Sequence, residues 1–161
     1  MRLIKLLAMI FMSMMMFGCG SSDASSEPPV ERAIETNTNV EKERPLMMKI
    51  TVGDRVLHAT LEDNAATRAL IKQLPLTLRM ENLYEREMCY RMGAGALPVE
   101  NLRDDSYEVG DVIYWAPRGS FVILYEQNGE RFERQQLGHI DGDVSFFDGA
   151  GALDITFELE E

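Results

Sequence analysis

With 161 residues, 45% of them hydrophobic, the chain has room for one ordinary domain with a core of its own. Acidic residues outnumber basic ones 27 to 16, a net charge of −11 that repels nucleic-acid phosphates and anionic lipid, so neither is expected as a partner. Two cysteines in the whole chain exclude a disulfide framework.

The N-terminus opens on Arg2 and Lys5, continues as an apolar run from Leu6 to Phe17 and reaches Gly18-Cys19. A basic end, an apolar core too short to span ~30 Å of hydrocarbon and a small residue before the cut mark a secretory signal, expected over residues 1–18. The end of this run resembles the lipobox of bacterial lipoproteins, in which the cysteine sulfur is acylated and becomes the first residue of the mature chain. The resemblance implies lipid attachment, palmitate included, at Cys19, and a membrane-anchored lipoprotein of the bacterial cell envelope. Gly20, which is not aspartate, implies the outer membrane. Met16 and Phe17 depart from the leucine and the small residue usual there, which leaves ordinary cleavage after Ala24 as the alternative. Loss of the leader removes Arg2 and Lys5, leaving 14 basic against 27 acidic residues, −13 in the mature chain. With Cys19 acylated, Cys89 has no partner in the chain and reads as a small buried apolar residue.

Residues 19–44 are Ser, Glu, Asn, Thr and Pro with scattered aliphatics and no period. Such a composition buries too little to order itself and reads as a tether, with a coil reach of roughly 25–30 Å. The domain is expected over 45–161. "MMKITVG" sets Met48, Ile50 and Val52 on one strand face, and Gly53-Asp54 turns the chain into "RVLHATL", where Leu57, Ala59 and Leu61 share a face. A short helix follows over about 63–74, capped by Asp63 or Asn64 and stopped by Pro75, with Ala66, Ala69, Leu70 and Leu74 on one side. "LTLRM" returns to strand with Leu76, Leu78 and Met80 facing together; "REMCYRM" comes back with Met88, Tyr90 and Met92, and Asn82–Glu85 is the expected turn. After a long irregular connection come two apolar runs, Val112–Ala116 and Phe121–Tyr125, joined through Pro-Arg-Gly-Ser. Neither alternates, so both faces of each are expected to be covered. "QLGHIDGD" and the sharply alternating "ALDITFELE" close the chain. About eight strands, one helix and no βαβ rhythm predict a mainly β fold, a small closed antiparallel barrel.

The order of hairpin, capped helix ending in "LP", strand "LTLRM", then "GDVIYWAPRGSFVILY" and "LGHID", resembles the bacterial cyclophilin-like domains over about residues 47–160. The resemblance implies an eight-stranded cyclophilin-like barrel; another small barrel or a lipocalin-like closed sheet is the alternative. Cyclophilins isomerise X-Pro bonds with an arginine that stabilises the twisted amide, and Arg79 holds a loosely comparable place in chain order. The family's Phe-His-Arg strand and Gln-Gly-Gly-Asp segment are absent, so a noncatalytic binding domain is expected, with an active prolyl isomerase as the alternative.

Other chemistry finds little purchase. His58 and His139 have no shared metal spacing, Cys89 lacks a papain-type context and no Gly-x-Ser-x-Gly elbow occurs. The two "GAGAL" loops break the dinucleotide fingerprint at its third glycine, so no cofactor is expected. Asp141, Asp143 and Asp148 read as turn residues more readily than as a Ca²⁺ loop, and no metal is expected. Glutamates 85, 87, 126 and 130 read as solvated faces. The binding candidates are therefore Trp115, Tyr114, Phe121 and Arg118, around the Pro117-Arg118-Gly119 tip. Strand alternation puts Tyr114 and Trp115 on opposite faces, so only one of them can join Arg118 in receiving an anionic or carboxylate-bearing small molecule or a peptide. The competing reading makes the tryptophan a core plug and the tip a plain turn.

Overall fold

The structure, a computed structural model, describes residues 44–160. The leader, Cys19 and all but the last residue of the tether lie outside the described residues. Eight strands form a closed barrel: β1 (Met47–Val52), β2 (Arg55–Leu61), β3 (Leu76–Leu83), β4 (Glu87–Arg91), β5 (Asp111–Trp115), β6 (Ser120–Leu124), β7 (Gln135–Ile140) and β8 (Leu153–Leu159). Their order around the barrel is β1-β2-β7-β5-β6-β4-β3-β8, and every neighbouring pair is antiparallel.

In β1, β2, β3 and β8 the residues expected to face inward do so. Met48, Ile50, Ala59, Met80, Ile155 and Phe157 are all fully buried. Each aliphatic side chain so buried contributes about 1.5–3 kcal/mol, enough to hold a barrel of this size without a disulfide. The one α-helix among the described residues, α1 (Ala65–Ile71), is shorter than the sequence suggests. Asn64 caps it, its Oδ1 accepting from Thr67 N at 2.9 Å. The last turn tightens, with Gln73 and Leu74 donating three residues back, because the residue before Pro75 is barred from the α region. Ala66 and Leu70 join the interior cluster, and Thr67 Oγ1 donates to Leu137 O of β7 at 3.2 Å.

The β3–β4 connection differs from the expected turn at Asn82–Glu85. Strand β3 continues through Leu83, which pairs with Glu87, so Tyr84, Glu85 and Arg86 make the connection, the first two with φ of +58° and +53°. Two consecutive left-handed residues are the backbone of a type I′ hairpin, usually announced by Asn-Gly. Tyr84-Glu85 carries no such signal.

Strands β5 and β6 are buried on both faces, as the missing alternation implies. Val112, Tyr114, Phe121 and Ile123 point into the barrel, where the Phe121 and Phe157 rings meet edge-on at 5.0 Å. On the outside, Cys89, Ile113, Val122 and Leu124 form a second cluster with Tyr107 and Phe132. The cover comes from two loops that meet at the isolated bridges Arg103↔Arg134 and Ser106↔Arg131. Arg134, 1% exposed, staples this cover by donating to Asp105 O at 2.8 Å and Asp105 Oδ1 at 2.9 Å.

Candidate functional site

The register of β4, β6 and β5 lays the outer face out in rows. Arg91 pairs with Ser120 and Ser120 with Trp115; Cys89 pairs with Val122 and Val122 with Ile113; Glu87 pairs with Leu124. Residues two apart share a face, so all of these side chains look outward. The Glu87–Leu124 end is roofed by Tyr107 and Phe132, whose rings lie 5.7 Å apart. Toward Trp115 the roof stops short. What remains is a pocket of about 330 Å³ with Ile113, Val122 and Trp115 as its floor, Phe132 and Tyr84 at its side, and Arg86, Glu87, Arg91 and Glu130 as its charges. That volume lies at the low end of the range of about 300–1,000 Å³ typical of ligand pockets. Trp115 also borders a second, more open hollow with Ala116, Pro117 and Leu102.

The β3–β4 turn carries Arg86 into the pocket wall. Its guanidinium sits among aromatic rings, 5.2 Å from the Phe132 centroid, 5.6 Å from Tyr84 and 6.0 Å from Tyr107. It is paired with Glu130 and, at 3.3 Å, with Glu87. Glu87 was expected on a solvated face; it is 7% exposed, because the loops cover its end of the sheet. Burial pushes its carboxyl above the usual glutamate range, a rise that Arg86 opposes. Burial likewise raises the Cys89 thiol, which fits the small apolar role expected of it. Arg91 is placed differently. Its Nη1 donates to Ser120 Oγ at 2.6 Å, and it makes no ion pair among the described residues.

The residues singled out at the "YWAPRGSF" stretch end up in three different places. Trp115 faces out and lines the pocket. Tyr114 and Phe121 are fully buried in the barrel, so neither can wall an open cleft; the Tyr114 hydroxyl donates to Gly93 O at 3.3 Å. Arg118 is exposed at the tip, in a short 3₁₀ turn, and borders neither Trp115 hollow. The tip itself has a packing role. Gly119 has φ +60°, and a Cβ there would stand 1.8 Å from Gly93 O, while Met92 N donates to Gly119 O at 2.8 Å. Arg79, on β3, pairs with Asp154 at 3.0 Å, both side chains 63% exposed, and is not part of the pocket wall. Asp143 caps its own turn, accepting from Ser145 N at 2.9 Å. His139 hydrogen-bonds the buried Asp111 at 3.0 Å, and His58 pairs with Glu160. No group of three or more potential metal ligands converges among the described residues.

A family model described as the cyclophilin-like family matches residues 50–158. Among solved structures, the solution structure of a hypothetical protein from Archaeoglobus fulgidus is similar, with 18% identity and a TM-score of 0.55, over 72% of this chain and 97% of that one. At that identity the likeness speaks to the fold. No curated protein matches the chain.

Proposed function

The chain belongs to the cyclophilin-like family, and on that premise we propose that it is a noncatalytic binding domain that takes a small molecule or a peptide into the Trp115 pocket, held at the bacterial envelope by a lipid on Cys19. The observation that carries this reading is the pocket itself: an apolar floor that includes the chain's one tryptophan, walled by two loops and edged by charge. Ligand sites are commonly concave and apolar with a few placed polar groups. The anchor rests on the sequence at Gly18-Cys19.

The isomerase alternative would set Arg79 against a substrate amide. Its ion pair with Asp154 and its place outside the pocket wall support the noncatalytic reading. A protease-coupled assay with a proline peptide is expected to stay flat; turnover lost in Arg79→Ala would establish the isomerase instead. A thermal-shift screen of a fragment and short-peptide library is expected to find stabilisers whose effect disappears in Trp115→Ala. A library without a single Trp115-dependent stabiliser contradicts the proposal. Palmitate labelling of the full chain should vanish in Cys19→Ala, and persistent label would move the acylation elsewhere.

A further inference from the structure

We infer that the pocket selects amphipathic monocarboxylates, with the guanidinium of Arg91 as the anion partner and the apolar body of the ligand lying on Ile113, Val122 and Trp115. This rests on the binding reading of the same pocket and names its ligand class.

Two arginines line the pocket and they are not equivalent. Arg86 is engaged by Glu87 and Glu130 and packed between rings, so its charge is already answered. Arg91 has Ser120 Oγ as its one hydrogen-bond partner among the described residues, at 2.6 Å. Ser120 is 2% exposed and held in β6, so this bond orients the guanidinium while leaving its remaining N–H groups for a ligand. Arginine's planar fork suits a carboxylate, which it grips with two parallel bonds. In a chain with 27 acidic residues, a pocket guanidinium without a carboxylate partner is a site of selective attraction.

Register sets the rest of the ligand. Arg91, Ser120 and Trp115 occupy one row across three strands, so Arg91 and Trp115 stand about 10 Å apart along the sheet. A carboxylate on Arg91 therefore leaves an aromatic ring or short aliphatic chain over Val122 and Ile113, against the indole. The other charges limit the anion. Glu87 and Glu130 both pair with Arg86, so Arg91 is the one pocket cation left to meet a negative charge, while a second negative charge falls under the field of the two glutamates. A phosphate or a dicarboxylate is disfavoured for that reason.

The test titrates the full domain with 4-phenylbutyrate and its neutral isostere 4-phenylbutyramide, following the emission of the single tryptophan. The acid is expected to bind about tenfold more tightly than the amide, the scale of one charge-assisted hydrogen bond. Arg91→Gln should abolish that preference, bringing acid and amide to similar affinity. Arg91→Lys should keep part of the preference, and Arg118→Gln should keep it whole. Equal binding of acid and amide, or a preference that survives Arg91→Gln, overturns the inference while Trp115-dependent binding of the amide leaves the pocket reading standing. If neither probe shifts the emission and the fragment library is also empty, the binding reading falls and the inference with it.

Discussion

Strands β1, β2, β3 and β8 bury one face and show water the other, whereas β5, β6, β7 and all of β4 but its Arg91 end are covered on both. On the first half the outward residues are Lys49, Thr77, Arg79 and their neighbours, joined in surface pairs such as Lys49–Glu158 at 2.6 Å and Arg79–Asp154 at 3.0 Å. On the second half the outward residues are Cys89, Ile113, Val122 and Leu124, under a cover pinned by Arg134 and Tyr107. The cover reaches only partway, and the pocket is the part of that apolar face it leaves open. An open sheet face that is apolar needs something to cover it, and here the loops supply most of that and a ligand is proposed to supply the remainder.

Breaking the cover should cost most. Arg134→Met removes the staple, with its charged hydrogen bonds to Asp105 and to Ser106 O; at least about 2 kcal/mol of lost stability is expected by urea denaturation. A variant of wild-type stability would mean that the outer cluster holds the loops unaided. Gly119→Ala comes next. The left-handed backbone alone costs an alanine about 1–2 kcal/mol, and the approach to Gly93 adds to it, so a clear fall in Tm should follow without any direct change in the pocket's residues.

Two carboxyls on the covered half give pH signatures of opposite sign. Asp105, held by the Arg103 and Arg134 guanidinium groups, titrates at about 2 against an ordinary 3.8. Its stabilisation is present above the ordinary value and is lost as pH falls toward 2. Glu87 is raised, so the fold holds its proton more firmly than the unfolded chain does, and stability declines as pH climbs from the ordinary glutamate value through the raised one. Stability measured across pH should show both limbs: Asp105→Asn flattens the acid one and Glu87→Gln the higher one. The smallest effect is expected on the solvated half, where Arg79→Ala should change stability by less than about 0.5 kcal/mol, since exposed pairs contribute little.

The two halves were not equally legible in the sequence. Where one face meets water, alternation shows it, and the inward residues of β1, β2, β8 and the first part of β3 were readable, though not the extension of β3 through Leu83. For β5 and β6 the lack of alternation disclosed that both faces were covered, and also that Tyr114 and Trp115 diverge, but not what did the covering. The cover is assembled from two polar loops about 30 residues apart, and local pattern carries no sign of such contacts. Glu87 and Arg91 were hidden for the same reason. In "EMCYR" the apolar Met88 and Tyr90 mark the inner face, and Glu87 looks solvated until distant loops are laid over its end of the strand, while Arg91 stays exposed at the pocket's edge. Arg118 drew notice because it stood beside aromatics in the chain, whereas the pocket gathers residues by row across strands. A partial sequence signal for Arg91 did exist: Glu87, Cys89 and Arg91 alternate with Met88 and Tyr90, which sets them on the outer face, but its pairing with the doubly covered β6 is seen only in the structure.

The most direct test of this account is amide chemical-shift mapping of the domain during titration with a stabilising ligand from the fragment screen. Perturbations centred on Ile113, Trp115, Ser120 and Val122, with Arg91 among them, are the expected result. A map centred on the β1–β8 face or on the Arg118 tip, with the Trp115 pocket unmoved, would contradict it.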